Sequence, residues 1–260
     1  MLTPPFNLQD WIERHRPDGC AATIVDVTSA YAVLGVMGPR SRDLLQGLTD
    51  ADLGEAGFPF ATSRELGLGH ATVRATRMTY VGELGWELMV PVEFAAGVYD
   101  LLKAGRAADA GYYTIDSLRL EKGYRAFGRE LTPDFTPVEA GLVFATALGA
   151  DKPFLGREAL AAHSDRLRAP GPRRRLVSLV VEDPEPMLWG GELVVRRGSP
   201  AGQVMSAAWG ETVGASVGLA YVRRDEPVTS EWLAEGGFEV DVAGELHGVH
   251  LSLAAPLRQS

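Results

Sequence analysis

The segment Thr79-Tyr80-Val81-Gly82-Glu83-Leu84-Gly85-Trp86-Glu87-Leu88-Met89-Val90-Pro91 carries the residue types best suited to hold a ligand. Side chains alternate along a strand, so Trp86, Leu88 and Val90 point one way while Glu87 and Met89 point the other. One carboxylate can accept two neighbouring N–H bonds, and charge-assisted pairs of this kind are strong and directional. The 2-amino group and N3 of a pterin present such a pair of donors. Tyr80 could wall a flat ring by stacking and leave its hydroxyl for a polar edge. On spacing alone, the commoner arrangement is a solvated strand glutamate with a tyrosine packed at the rim, because exposed charges are the rule.

A second polar segment is Asp116-Ser117-Leu118-Arg119-Leu120-Glu121-Lys122-Gly123-Tyr124-Arg125. Asp116 and Arg119 are three apart and can pair on one helix face. Spacing favours a surface ion pair of little energetic weight; the other reading is a helix that buttresses a ligand pocket. Other chemistries lack their patterns. The sequence has no Walker loop, no G-x-G-x-x-G fingerprint and no G-x-S-x-G elbow. Its five histidines are scattered. His247 and His250 are three apart, which on a strand places them on opposite faces, and no further ligands stand at matching spacing. No metal site is expected.

The elements that must carry these residues can be read from pattern. Leu8 to Arg14 reads as a short helix, and Ala22 to Val27 and Tyr31 to Met37 as strands. Gly38-Pro39 ends the second strand, and a helix begins near Ser41. Ala71 to Tyr80 and Trp86 to Val90 read as the arms of a hairpin reversing at Gly82 and Gly85, with Tyr80 and Glu87 on the two arms. Pro91 breaks the strand, and Val92 to Ala104 has helical spacing, as does Ile115 to Gly123. The run Ala169-Pro170-Gly171-Pro172 is the clearest break, followed by a basic run, Arg173-Arg174-Arg175, that reads as a solvated linker. Beyond it come short strand candidates: Leu176 to Val181, Glu192 to Arg196, Gly202 to Ala207, Val217 to Val222, Phe238 to Val242 and Val249 to Leu253. Their even spacing suggests a small closed barrel or a sandwich.

Composition narrows the class further. At 260 residues the chain can bury a real core, and its net charge of −9 argues against nucleic acid as a general partner. The single cysteine, Cys20, allows no intrachain disulfide and reads as a small, buried or half-exposed residue. No stretch approaches the roughly 18 apolar residues of a membrane helix, and Met1-Leu2-Thr3-Pro4-Pro5 lacks the features of a secretory signal. The expected setting is cytoplasmic, with no membrane partner.

The Tyr80–Leu88 and Asp116–Arg125 segments resemble the glycine-cleavage T-protein, or aminomethyltransferase, family. They are most similar to the folate-binding C-terminal half of dimethylglycine and sarcosine dehydrogenases. Supporting stretches occur in the family's order: Asp26 to Gly35, Gly38 to Arg42, Thr136 to Leu142 and Phe154 to Leu160. Ile115 stands where the T-protein pattern has an arginine, which favours the dehydrogenase branch. The resemblance covers nearly the whole chain.

It implies an α+β fold: an aminomethyltransferase folate-binding domain over residues 1–168, N-terminally truncated, then a C-terminal β-barrel over 173–260. It implies tetrahydrofolate as cofactor, gripped by Glu87, contacted by Tyr80 and flanked by Leu88 and Met89. The implied activity is transfer of a methylene unit from a glycine derivative such as dimethylglycine or sarcosine, with a flavoprotein subunit or domain as partner. The family's catalytic aspartate belongs to a glycine-rich stretch ahead of the part resembling Leu8 to Ile12, and Asp18 and Asp26 do not replace it. The resemblance therefore implies no catalytic residue in this chain and an incomplete folate domain. The other function open at this point is a non-catalytic folate-binding or scaffold subunit paired with a separate flavoprotein.

Overall fold

The computed structural model describes residues 5–168 and 171–257. The start, Met1 to Pro4, and Ala169-Pro170 of the proposed break lie outside the described residues. By packing, the chain forms two units, Leu2–Gly111 and Tyr112–Ser260.

The first unit opens with α1 (Pro5–Arg14). Leu8, Trp11 and Ile12 share one face of it at helical spacing and remain exposed. An antiparallel sheet follows, built from β1 (Tyr31–Met37), β2 (Ser63–Leu68), β3 (Ala71–Arg77) and β4 (Gly85–Pro91) in the order β1-β4-β3-β2. Two helices, α2 (Ser41–Gln46) and α3 (Ala95–Ala104), complete the unit. One face of the sheet is apolar. Val36, Leu66, Leu68, Val73, Ala75, Trp86, Leu88 and Val90 join Leu45, Leu53, Phe58, Val98 and Leu102 in a single core. The alternation in β3 and β4 sends every second side chain there and the others to the opposite, open face.

Two strand expectations change. Ala22 to Val27 is irregular and pairs with no strand among the described residues. The Asp26 carboxylate instead accepts hydrogen bonds from the Thr28 backbone N–H (2.9 Å) and hydroxyl (2.6 Å), a local turn that delays the strand to Tyr31. The strand expected to reach Tyr80 stops at Arg77, so Tyr80 lies in a seven-residue connection, Met78–Leu84, rather than on a hairpin arm. Cys20, expected to be at least half covered, is exposed and free.

The second unit contains α4 (Tyr112–Glu121), α5 (Arg157–Arg168), α6 (Ser230–Ala234) and six strands. The strands are β5 (Arg174–Val181), β6 (Leu193–Arg196), β7 (Ser199–Gly210), β8 (Ala215–Arg223), β9 (Phe238–Val242) and β10 (Glu245–Ser252). They close a barrel in the order β10-β5-β8-β7-β6-β9. Val177, Leu179, Val194, Val204, Ala220, Val222, Val240 and Val249 fill its interior, with Trp232 and Phe238 in edge contact. Eight of the nine β8 residues are buried because both faces are covered: Ala220 and Val222 turn inward, while Val217, Leu219 and Tyr221 pack with Leu120 of α4.

The basic run is not a bare linker. Arg174 begins β5, pairs with Glu139 at 2.9 Å and lies 4.7 Å from the Phe135 ring centroid, which draws it onto the barrel wall. Among the described residues, no helix is long and apolar enough to cross a membrane.

Candidate functional site

Glu87 sits on β4, one of the two inner strands of the first unit's sheet, on the open face. Its cross-strand neighbours are Gly35 on β1 and Thr76 on β3. Met89, two residues on, lies opposite Val33 and Arg74. Glu87 and Met89 are both half-buried. The nearby polar groups are already engaged with each other: Arg74 pairs with Glu65 at 3.4 Å, and the Thr76 hydroxyl donates to Ser63 at 3.1 Å. Among the described residues the Glu87 carboxylate has no hydrogen-bond or ion-pair partner. A half-buried carboxylate keeps its full capacity to accept donors from a ligand.

Tyr80 is half-buried in the Met78–Leu84 connection. That segment is held at several points. Buried Val81 donates its N–H to the Thr79 hydroxyl, and the Leu84 carbonyl accepts from the Gly38 N–H (2.8 Å) and the Ser41 hydroxyl (3.0 Å). At its start, Arg77 is almost fully buried and donates to Glu55 (2.6 Å) and to the Phe58 carbonyl (2.7 Å). Its guanidinium stands 5.8 Å from the Trp86 ring centroid. The two arginines Arg77 and Arg42, by hydrogen bonding to Glu55, lower that carboxyl to about 2. This clamp fixes where β3 ends and β4 begins.

Leu88 stands apart from the other expected site residues. Its side chain is fully buried in the core on the opposite face of the sheet. Its backbone lies in the ladder with Leu34 and Ala75, so its part in any binding is to hold the strand in place. Three residues next to Glu87 that were not read from sequence as part of a site are Gly35, Gly85 and Met37. Met37 lies opposite Gly85, and its side chain runs across Gly85 toward Gly35. A glycine in the middle of the apolar run Tyr31–Met37 was the available signal.

The Asp116–Arg119 pair is not on the surface. Arg119 is fully buried in the second unit, where it donates to Asp116 (2.9 Å), Glu130 (3.0 Å), the Tyr124 carbonyl (2.9 Å) and Ser206 (2.8 Å). Glu130, also fully buried, accepts further bonds from the Ala126 N–H at 2.6 Å and the Ser206 hydroxyl. Arg129 adds a bond to Asp116 at 3.2 Å. Glu121 accepts the N–H groups of Thr212 (2.7 Å) and Val213 (3.1 Å). These groups fasten α4 to the barrel. His247 and His250 both lie on β10, and the second is exposed with Glu182 at 3.5 Å. Among the described residues no three potential ligands gather into a metal site.

The family profile described as GCVT N-terminal domain matches residues 6–150, and that of the glycine cleavage T-protein C-terminal barrel domain matches residues 174–257. The chain belongs to the glycine cleavage T-protein family.

Mouse sarcosine dehydrogenase, mitochondrial, is 40% identical to this T-protein family member over 90% of the chain and 26% of its own length. The mouse pyruvate dehydrogenase phosphatase regulatory subunit, mitochondrial, is 32% identical over 90% of the chain and 28% of its own. The chain thus spans about a quarter of the length of these curated relatives. A solved structure, glycine cleavage system aminomethyltransferase T from Bartonella henselae, superposes with a TM-score of 0.72 at 26% identity. That match covers 88% of this chain and 60% of the other. The aminomethyltransferase-like fold with its closed six-stranded barrel agrees with the α+β reading of the sequence.

Proposed function

We propose that this chain is the folate-holding part of a one-carbon transfer system. Its substrate would be a glycine derivative such as dimethylglycine or sarcosine, with amine oxidation performed by a flavoprotein domain or subunit. The observation that carries this reading is Glu87: an unpaired, half-buried carboxylate on a sheet face where its neighbour across β1 has no side chain. The residues present suit a reduced pterin. Glu87 would accept the 2-amino and N3 hydrogens together, as carboxylates do with forked donors. Met89 and Met37 offer soft, adaptable sulfur contacts to a ring, and Tyr80 an aromatic one. Bound tetrahydrofolate supplies two nitrogens, N5 and N10, that can take over a methylene unit from an amine. The work of this chain is to fix the ring's orientation, so that those nitrogens meet the methylene donor in one geometry.

Calorimetric titration of the protein with tetrahydrofolate under anaerobic conditions tests the reading. Saturable binding is expected. Glu87→Gln should weaken it by ~10–100-fold, the worth of a charge-assisted hydrogen bond. Equal binding by the two proteins, or none by either, would reject it.

A second reading is favoured by the likeness to a phosphatase regulatory subunit. On that reading the chain is a non-catalytic folate-binding or scaffold subunit beside a separate flavoprotein. It predicts folate binding without any transfer of a methylene unit when the chain is supplied with a flavoprotein dehydrogenase and its N-methyl glycine substrate.

A further inference from the structure

Gly35 lies in the middle of β1, between Leu34 and Val36. Glycine weakens a strand interior, and where it occurs it marks a bulge, a sharp bend, or the close approach of a ligand or another backbone. Here the ladder between β1 and β4 runs from Tyr31 opposite Pro91 to Met37 opposite Gly85 without a register shift. Nor is Gly35 among the residues with positive φ. A Cβ added at Gly35 would meet only the Met37 methyl, at 3.6 Å, an ordinary contact. Neither the backbone nor the internal packing calls for glycine at this position.

Gly85, on the same face, is different. A Cβ there would come within 2.8 Å of Met37 Cγ, 3.1 Å of the Val36 carbonyl oxygen and 3.2 Å of the Met78 carbonyl oxygen. Two of those contacts are backbone, so Gly85 has a reason within the fold. Gly35 has none.

What a side chain at Gly35 would do is stand beside Glu87, its directly opposed partner on β4, with the two Cβ atoms about 4.5–5.5 Å apart. We infer that Gly35 is an access and specificity residue: its missing side chain leaves the gap through which a flat ring edge reaches the Glu87 carboxylate. Met37, lying over Gly85 toward Gly35, forms one wall of that gap, and Met89 stands beyond Glu87 on the other side. This inference rests on the folate reading of Glu87.

The test compares the wild-type protein with Gly35→Ala, Gly35→Val and Glu87→Gln, each titrated anaerobically with tetrahydrofolate and each melted. Gly35→Val should lose at least ~10-fold in affinity, the cost of one ligand hydrogen bond to a charged group. Gly35→Ala should fall between it and the wild type. Both should melt at the wild-type temperature or above, because a β-branched residue suits a strand better than glycine. Wild-type affinity in Gly35→Val would overturn the inference and leave the folate reading standing. A lowered melting temperature in both glycine variants would also overturn it, since the glycine would then serve the fold. Weakened binding in Gly35→Val with undiminished binding in Glu87→Gln would place the ring elsewhere and overturn it too. No binding by the wild type would remove the folate reading and this inference together.

Discussion

Two polar regions, one in each unit, treat charge in opposite ways. In Tyr112–Ser260, Arg119 and Glu130 are fully buried and Asp116 nearly so, and each has at least two partners. In Leu2–Gly111, the open sheet face carries Glu87 half-covered and unpartnered, with Gly35 beside it, while the neighbouring Arg74 and Thr76 are bound to other side chains. A buried charge with a complete set of partners holds structure together, and its removal leaves an uncompensated charge behind. A partly covered carboxylate left without partners contributes little to folding and retains its capacity for something external. The difference separates groups that build the fold from a group available to a ligand.

The largest expected effect is on the first kind. Arg119→Met should lower unfolding free energy by ~3–5 kcal/mol, because Asp116 and Glu130 remain buried without their shared cation. Urea denaturation checks this; a change below ~1 kcal/mol would mean that the cluster is less tightly coupled than its hydrogen bonds suggest. Glu87→Gln should do the reverse, shifting stability by no more than ~0.5 kcal/mol in the same experiment, as befits a group with no internal partner. A large loss of stability in Glu87→Gln would erase the contrast between the two regions.

The smallest effect concerns Glu55, an exposed carboxylate that nevertheless joins Arg77 and Arg42. Its carboxyl is lowered from 4.5 to about 2 by those arginines, so the unfolded chain binds the proton more readily than the folded one. Its contribution is therefore present above pH 4.5 and is lost as pH falls toward 2. Glu55→Gln should lower the melting temperature slightly at neutral pH, flatten the acid limb in that window and converge with the wild type as pH falls toward 2. Salt should weaken the effect, since the pair faces water.

Much of the barrel was legible in sequence. Phe238–Val242 has the expected limits, and the remaining barrel strands include most of their expected residues, because turn residues punctuate alternating apolar runs. The alternation Trp86-Glu87-Leu88-Met89-Val90 was legible for the same reason. Other features depend on partners distant in sequence. Arg119 reads as one half of an i,i+3 surface pair because its other partners, Glu130 and Ser206, stand 11 and 87 residues away. Arg174 reads as a linker residue because Glu139, 35 residues earlier, gives no local sign of meeting it. Ala22 to Val27 has a strand's composition, but β-propensity expresses itself only where a neighbouring strand and a buried face are supplied. β2 escaped notice for the converse reason: Ser63-Arg64-Glu65-Leu66-Gly67-Leu68 has no β-branched residue and is held as an edge strand by pairing with β3. Gly35 was visible as a letter, yet its meaning depends on the register that sets it against Glu87.

The central claim is that a reduced folate seats on the Glu87 face of the first sheet, and methionine methyl NMR reports on this directly. In protein labelled with ¹³C at the methionine methyls, Met37 and Met89 flank the proposed ring, while Met187 and Met205 belong to the Tyr112–Ser260 unit. Saturation with tetrahydrofolate should shift the Met37 and Met89 resonances through the ring current, by the largest displacements in the spectrum, and Glu87→Gln should need ~10–100-fold more ligand to reach the same shifts. Saturable binding that leaves both resonances in place would contradict the claim.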